Sequence, residues 1–413
     1  MPRPPTIRRA AAVLGVGALT LAVAAPTASA RPTASARPTA SARPSAVRTP
    51  AAASSTTSTT PSPRAGVRAA LDDIVAAGAP GAVAYVRRDG HIWRLASGKA
   101  DLLTGRAARP GDRVRIGSVT KSFVAAVLLQ LEGEGRLSLD DTVDRWLPGV
   151  VAGHGNDGTR ITVRQLLNHS SGLKDYLRDS RVFASYFTAN DFDHVWTPAR
   201  LVRLAVAQRP DFPPGTKATY SNTNYVLAGM VIRAVTGHSP QQEVTRRVIE
   251  PLGLRSTAFP RTDPRLRGRH LHGYLANFYY HYQDVTYFSP SWADAAGGMV
   301  STTDDVAEFF RALFDGRLLR PAQVRELTTV VPTPIEGLAN GLGVGRSEQC
   351  GAPVWGHDGA FPGYFTQALV REGGDRQVVY AVNSDLAALP YIPGAEKVQQ
   401  AVRALERAAL CDS

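Results

Sequence analysis

The chain has 413 residues and a net charge of +12, but the charge is concentrated near its start. Residues 1–64 contain eight arginines and no acidic residue, so the remaining residues carry only +4. The part that can fold has no basic run with interleaved aromatic residues, which argues against nucleic-acid binding as the main function. About 350 residues follow position 64, enough for a large core and two lobes.

Residues 1–30 have the pattern of an export signal peptide. Arg8 and Arg9 belong to a basic start, residues 10–25 are apolar over a signal-core length, and residues 28–30 form a small-residue cleavage site. A transmembrane helix needs about 20 apolar residues, so we expect a cleaved signal and no stable membrane anchor. The arginine pair leaves a twin-arginine route open as the alternative.

Residues 31–64 are rich in Pro, Ala, Ser, Thr and Arg, and a six-residue repeat at 31–36 recurs at 37–42. Such a segment has almost no large apolar side chains to bury, so we expect it to be disordered. It is either a removable pro-segment or a linker across a cell wall. The predicted localisation is therefore secreted, with association to the cell wall left open.

The two cysteines, Cys350 and Cys411, are predicted to form one disulfide, since an even count in an exported chain favours pairing. The bond would tie a C-terminal helix over about 394–409 to the segment before the last strands. Two free buried thiols are the alternative.

Strand patterns lie at both ends of residues 65–413 and helical patterns lie between them. In chain order, the spacing of apolar residues and the turn signals predict a helix (66–77), a hairpin turned at Asp89-Gly90 (82–95), helices (118–134, 162–168, 198–208, 223–236, 240–249, 302–314 and 321–329) and strands (354–355, 364–371 and 377–383). The predicted fold is α/β (α+β): an antiparallel sheet built from both ends and flanked by helices. A mainly helical lobe is inserted at about 137–300, and a site would lie between the lobes.

A serine and a lysine are placed one helical turn apart at the start of the helix predicted over 118–134. In Ser118-Val119-Thr120-Lys121, positions i and i+3 share a helix face, so the hydroxyl and the amine are neighbours. Such a pair is one way to activate a serine without a histidine. A second match, Ser171 to Lys174, contains Gly172 and no helical pattern follows it, so it reads as a loop.

Two further short motifs follow in order, Tyr220-Ser221-Asn222 and His357-Asp358-Gly359. With Ser118-x-x-Lys121 they resemble the serine penicillin-recognising family, which includes class C β-lactamases, soluble D-Ala-D-Ala carboxypeptidases and related esterases. Supporting stretches are at 166–173, 212–215, 296–302 and 356–364. The resemblance covers roughly residues 65–413 and implies a β-lactamase/transpeptidase-like fold. The joint order and spacing of the motifs is far more specific than any one of them.

The resemblance implies an acyl-enzyme formed on Ser118. Lys121 can act as the base only if burial or a neighbouring positive charge lowers its pKa. Tyr220 is the other candidate base and the expected proton donor to the leaving group. Because its ordinary pKa is near 10, its ionised form would need help from Lys121.

Four residues are expected to bind substrate. Asn222 would bond the substrate amide and the Lys121 ammonium. His357 stands where many relatives carry lysine and would give a charge that depends on pH near neutrality. Gly359 would let substrate approach the strand closely. The backbone N–H of Ala360 and that of Ser118 would form the oxyanion hole.

Each of these residues also has an ordinary structural interpretation. Alone, Ser118 would be a helix N-cap, Tyr220 a packing tyrosine, Asn222 an N-cap and His357 a strand-end histidine. Their order together favours the functional interpretation. A zinc site at His270, His272 and His281 is conceivable, but no acidic ligand follows at close spacing, so we expect no metal and no other cofactor.

The leading functional prediction is a secreted serine D-alanyl-D-alanine carboxypeptidase, a monomer acting on peptidoglycan stem peptides and inhibited by β-lactam antibiotics. The H-x-G motif, the export signal and the disulfide favour it. Asp358 weighs against it, since an aspartate facing the cleft would repel a substrate carboxylate, unless Arg346 compensates. The alternatives are an esterase, D-amino-acid amidase or β-lactamase of the same fold, and a non-catalytic wall-binding protein.

Overall fold

The computed structural model describes residues 62–187, 191–276, 282–385 and 395–411. The predicted signal peptide, nearly all of the low-complexity segment and His281 lie outside these ranges. Among the described helices, none is both long and apolar enough to cross a bilayer.

The central element is an eight-stranded antiparallel sheet in the order β2-β1-β14-β13-β12-β11-β10-β9. Six short strands form three separate two-stranded pairs, β3 with β8, β4 with β5 and β6 with β7. The strands are β1 (Gly81–Arg88), β2 (His91–Gly98), β3 (Val114–Arg115), β4 (Ala152–Gly153), β5 (Asn156–Asp157), β6 (Tyr274–Ala276), β7 (Tyr282–Asp284), β8 (Val300–Ser301), β9 (Val331–Pro332), β10 (Ala339–Asn340), β11 (Gly345–Gln349), β12 (Ala352–Phe361), β13 (Tyr364–Arg371) and β14 (Arg376–Val382).

The helices are mostly short between β3 and β8 and longer elsewhere. They are α1 (Pro63–Ala76), α2 (Thr120–Gly133), α3 (Val143–Trp146), α4 (Val163–Leu167), α5 (Arg181–Phe187), α6 (Pro198–Val206), α7 (Asn222–Thr236), α8 (Pro240–Val244), α9 (Asp294–Gly297), α10 (Thr303–Phe314), α11 (Pro321–Thr328) and α12 (Ala395–Leu410). The predicted antiparallel sheet flanked by helices is confirmed, and so are the two ends of the chain meeting in it, because β1 pairs with β14.

The strand alternation divides the core into two layers. Along β14, Val378, Tyr380 and Val382 pack against α1 and α12, whereas Val379 and Ala381 face the larger cluster that contains α2 and α7. Fully burying one such aliphatic side chain stabilises the fold by about 1.5–3 kcal/mol. The sheet is therefore covered on both faces, and its second face carries the helix that begins at the predicted nucleophile.

Helix α2 runs through the middle of this larger cluster. Its residues from Thr120 to Leu129 are buried, so it is apolar all round rather than amphipathic, as expected for a central helix. The predicted helix began at Ser118, but a 3₁₀ turn over Gly117–Val119 comes first and α2 begins at Thr120. Ser118 therefore lies in a tight lead-in turn, partly exposed, while Lys121 lies inside the helix.

The largest differences from the predicted elements are at the β11–β12 side of the sheet. β12 spans Ala352–Phe361, so the His357-Asp358-Gly359 motif lies within a strand and not after one. β9, β10 and β11 were not predicted, because they are short and carry no clear apolar alternation. The predicted helix over 240–249 is α8 followed by a π-helical turn over Thr245–Ile249.

The predicted disulfide between Cys350 and Cys411 is present, with the two Cα atoms 5.5 Å apart. Cys350 and Gly351 form the two-residue turn between β11 and β12, and both have positive φ, as a type I′ hairpin turn requires. The bond therefore ties the hairpin that carries His357 to the end of α12.

Candidate active site

The side chains of Ser118 and Lys121 meet at the start of α2. The ammonium nitrogen of Lys121 lies 2.9 Å from Ser118 Oγ, and it also donates to Asn222 Oδ1 at 2.8 Å and to the carbonyl oxygen of Ala296 at 2.6 Å. Lys121 is fully buried, whereas Ser118 is partly exposed. The pair is thus arranged with the hydroxyl accessible and its neighbouring amine shielded from water.

Burial lowers the pKa of Lys121 to about 7, although the negative charges of Asp175 and Asp358 oppose the shift. The condition set by the sequence analysis, a lysine made neutral by burial, is therefore met. A neutral amine keeps two N–H donors and one lone pair. With the donors on Asn222 and Ala296, the lone pair is free to accept the proton of Ser118.

Tyr220 lies between Lys121 and His169. Lys121 Nζ is 4.8 Å from the centroid of the Tyr220 ring, and the His169 ring stacks on its other neighbour position with centroids 4.3 Å apart. Burial, with the charge of Asp358, raises the pKa of Tyr220 well above its usual value, and Ser118 opposes the shift only in part. The phenol is therefore neutral in the free protein, which suits it to donate a proton rather than to begin as the base.

Asn222 connects Lys121 to a buried carboxylate that the sequence analysis missed. It is the first residue of α7, with Ser221 at the N-cap position, and its Nδ2 donates to Asp175 Oδ2 at 2.8 Å. The backbone N–H of Asn222 bonds the same oxygen at 3.2 Å. Asp175 directly follows the rejected Ser171–Lys174 match, so the only sequence signal was an acidic residue beside apolar Tyr176 in that loop.

His357 lies on β12 with its ring centroid 6.4 Å from that of Tyr220. Its Nδ1 bonds the carbonyl oxygen of Asp358 at 2.6 Å, so Nδ1 is the protonated nitrogen. Burial and the charge of Lys121 lower the pKa of His357 to about 4. The expectation of a charge that varies near neutral pH is therefore wrong, and His357 offers a neutral polar edge.

Gly359 and Gly117 bring strand β12 against the turn that holds Ser118. A Cβ on Gly359 would be 2.0 Å from the carbonyl oxygen of Ile116 and 3.0 Å from the nitrogen of Ser118. A Cβ on Gly117 would be 2.5 Å from the carbonyl oxygen of Ala360. Gly359 was expected to make room for substrate; it makes room for the protein's own backbone. This close approach places Ala360 beside the Ser118 turn, as the predicted oxyanion hole requires.

The other candidates of the sequence analysis are held by ordinary contacts. Ser171 Oγ bonds Asn224 Oδ1 at 2.6 Å, while Lys174 pairs with Asp211, so this second serine and lysine do not meet. Arg346, on β11 opposite Trp355, bonds Glu348 at 3.3 Å.

His270 and His272 stack with centroids 5.1 Å apart. His270 Nδ1 bonds the carbonyl oxygen of Gly268, and His272 Nδ1 bonds Asp284 at 2.8 Å. Within the described ranges no group of three or more His, Cys, Asp or Glu side chains is arranged to hold a metal ion.

Fold and site together are those of a serine hydrolase of the β-lactamase/transpeptidase fold. The family model described as beta-lactamase matches residues 67–402, and the chain belongs to this family.

Three similar proteins illustrate the range of activities in their names. A D-stereospecific amidohydrolase from Streptomyces sp. is 41% identical, with a TM-score of 0.74 over 82% of this chain and 97% of its own. A D-amino acid amidase from Ochrobactrum anthropi SV3 is 29% identical, with a TM-score of 0.72 over 84% of this chain and 99% of its own. Penicillin-binding protein 4 of Amycolatopsis lactamdurans is 29% identical over 75% of this chain and 82% of its own length.

The lowered pKa of Lys121 predicts how activity depends on pH. Because the amine must be neutral to accept the Ser118 proton, kcat/KM for an uncharged ester should rise with pH through about 7. Lys121→Arg cannot lose its proton at these pH values and should lower kcat/KM by at least about 100-fold throughout.

Lys174→Arg is the matched control, since Lys174 is paired with Asp211 away from Ser118. His357 titrates far below this range, with a pKa of about 4, so it does not produce the same limb. An active Lys121→Arg variant with an unchanged pH profile would exclude Lys121 as the base.

Proposed function

We propose that the protein hydrolyses amides or esters through an acyl-enzyme on Ser118. Ser118 Oγ attacks the acyl carbon and its proton passes to Lys121 Nζ, 2.9 Å away. The Tyr220 phenol gives its proton to the departing amine or alcohol, and the Lys121 ammonium restores the phenol. Water then attacks the acyl-enzyme by the reverse proton path and releases the acid. The single observation that carries this proposal is the contact of a buried, easily neutralised amine with an accessible hydroxyl.

The developing oxyanion would be stabilised by the backbone N–H groups of Ser118 and Ala360. Asn222 and the neutral His357 would line the substrate groove. Preorganised donors of this kind act without reorganisation at the moment of reaction, and losing one typically costs about 3 kcal/mol of barrier. The short separation enforced by Gly117 and Gly359 supports this assignment.

The substrate class we propose is an amide or ester of a D-amino acid with a free ammonium group. The Asp358 carboxylate is partly exposed, 3.7 Å from His357 Nδ1, and close enough for its charge to influence both Lys121 and Tyr220. Burial raises its pKa to about 6, so it is mainly ionised at pH 7 and above. A negative group here attracts an ammonium and repels a carboxylate. The names of the amidohydrolase and the amidase above agree with this class.

The direct test compares D-phenylalanine amide with its N-acetyl derivative, its L enantiomer and an acyl-D-Ala-D-Ala peptide. Kinetics at pH 7.5 should give the free-amine D amide a kcat/KM at least about tenfold above that of the N-acetyl form, since one tenfold step is 1.36 kcal/mol. In Asp358→Thr that preference should disappear. Equal rates for the acetylated and free amides in the wild type would contradict the ammonium assignment.

A D-alanyl-D-alanine carboxypeptidase acting on peptidoglycan stem peptides is the second candidate. Its specific support is Arg346, which lies on the strand next to His357 with only a 3.3 Å bond to exposed Glu348, and the penicillin-binding relatives agree with it. Turnover of the acyl-D-Ala-D-Ala peptide but not of the amides would favour this candidate. Stable acylation by penicillin would then be expected as well.

The proposal includes export. The signal-like residues 1–30 and the disulfide between Cys350 and Cys411 both suit an oxidising compartment outside the cytosol. The catalytic domain would begin near residue 65 and act as a monomer, with the basic preceding segment retained or removed.

A further inference from the structure

The geometry points to Asp175 as the positioning residue that fixes the amide of Asn222 and thereby holds Lys121 against Ser118. This inference rests on Ser118 being the nucleophile proposed above, and is independent of the substrate. Asp175 has no direct contact with Ser118; it acts through two intervening side chains.

The Asp175 carboxylate is buried and surrounded by donors. It is 8% exposed; its Oδ1 accepts from the backbone N–H of Leu177 at 2.9 Å, and its Oδ2 accepts twice from Asn222. A protonated carboxyl would bring an O–H donor into this ring of N–H donors, so the contacts select the ionised form. A buried carboxylate with these bonds is costly to place unless its charge is used.

The loop that carries Asp175 is held in place by other contacts. The hydroxyl of Thr223, in the first turn of α7, donates to the carbonyl oxygen of Lys174 at 2.6 Å and accepts from the backbone N–H of Tyr176 at 3.1 Å. The backbone on both sides of Asp175 is thus fixed to α7 without the carboxylate. Replacing the side chain can change its electrostatics while these backbone contacts remain.

The chemistry of Asp175 decides which way the Asn222 amide points. A carboxylate can only accept, so it binds the NH₂ end of the amide and leaves Oδ1 directed at Lys121 Nζ, 2.8 Å away. The reverse orientation would place NH₂ against the Lys121 amine and remove one of its three acceptors. With Asp175→Asn, the amide loses this preference, because an asparagine can donate as well as accept.

The charge of Asp175 also acts on Lys121. Six titratable side chains affect this amine or lie around it, and they are Asp175, Asp358, Tyr220, Tyr225, His169 and His357. The two tyrosines are neutral because burial raises their pKa values, and the two histidines are neutral because burial lowers theirs. Of the two carboxylates, Asp175 is the more buried and has the larger effect on Lys121.

The test combines Asp175→Asn, Asn222→Ala and the double variant in the full mature protein. The rate of Ser118 acylation by a fluorophosphonate probe, followed by intact mass, needs no knowledge of the natural substrate. Asp175→Asn should slow acylation by about tenfold or more, the effect expected for losing one charge-assisted hydrogen bond. In the Asn222→Ala background the same change should have little further effect, because the connection is already broken.

A second readout does not depend on any reaction. The chain has five lysines, so a ¹³C NMR titration of labelled lysine resolves Lys121, identified by its loss in Lys121→Met. Removing the negative charge should lower the pKa of Lys121 in Asp175→Asn, and the acid limb of the pH–rate profile should move to lower pH with it. A slower rate with an unmoved Lys121 pKa would reduce Asp175 to a purely structural role and overturn the inference.

Asp179→Asn is the matched control, since Asp179 lies four residues further on and bonds Arg181 at the surface. It should leave both readouts at their wild-type values. Should Asp175→Asn fail to fold by circular dichroism, Asp175→Ser, which keeps an acceptor for the Leu177 N–H, replaces it. An additive loss in the double variant also overturns the inference. Failure of the wild type to label at Ser118 would instead refute the proposed nucleophile, while the NMR titration still tests the contact.

Discussion

Ser118→Ala is expected to abolish covalent labelling and to lower turnover by at least about 10⁴-fold, because no other group can form the acyl-enzyme. Intact mass after incubation with a penicillin or an activated ester measures the first effect, and initial rates measure the second. The fold should be retained, since Ser118 is partly exposed and its hydroxyl makes only one of the three bonds of Lys121.

Ser171→Ala is the informative control for this experiment. Ser171 begins the other Ser-x-x-Lys sequence, but its hydroxyl bonds Asn224 and its lysine pairs elsewhere. This variant should keep the mass increase, with a stability loss of about 1 kcal/mol for the missing bond. Labelling that persists in Ser118→Ala and vanishes in Ser171→Ala would reassign the nucleophile.

Gly359→Ala should have the second largest effect, from the addition of a single methyl group. The new Cβ would lie 2.0 Å from the carbonyl oxygen of Ile116, a backbone atom that cannot rotate away as a side chain does. Strand β12 and the Ser118 turn must therefore separate, and the two proposed oxyanion donors separate with them. We expect kcat/KM to fall by about 100-fold or more, the usual cost of losing one such donor.

The control for the glycine is on the neighbouring strand. A Cβ on Gly345, in β11, would find its nearest atoms at 3.8 and 4.0 Å, which is ordinary van der Waals contact. Gly345→Ala should therefore leave kcat/KM within about twofold and the melting temperature within a few degrees, as is usual for substitutions away from packed or strained sites. Comparable losses in both variants would show that the sheet tolerates no side chain here, and the close approach to Ser118 would not be the cause.

The sequence predicted those parts of the site that depend on local spacing or on motif order. Ser118 and Lys121 are one turn apart, and the contact of 2.9 Å follows from that spacing. Tyr220, Asn222 and His357 were found because their order resembles a known family, and the structure brings Tyr220 and Asn222 to Lys121. Roles in catalysis for all of these residues stay predictions until the variants above are measured.

The remaining features depend on contacts between distant segments, which spacing cannot reveal. Asp175 is 47 positions from Asn222 in the chain, and no local pattern connects them. The neutral state of His357 depends on its burial beside Lys121, and the need for Gly359 depends on a carbonyl group more than 200 positions earlier. Strand β12 was predicted too short because its Gly-His-Asp-Gly run has low strand propensity, and pairing with β11 and β13 overrides that propensity.

The pairing of β1 with β14 has a consequence for how the chain acquires its structure. Ala82 lies beside Val382, so the middle of the sheet cannot close until almost the entire polypeptide has been synthesised. Contacts of such long range make folding slow, and until they form, β1 and β13 present unpaired edges that other chains can join. A nascent chain of this topology stays unfolded long enough to be threaded through a translocation pore, and the native enzyme arises only after the last strand has arrived.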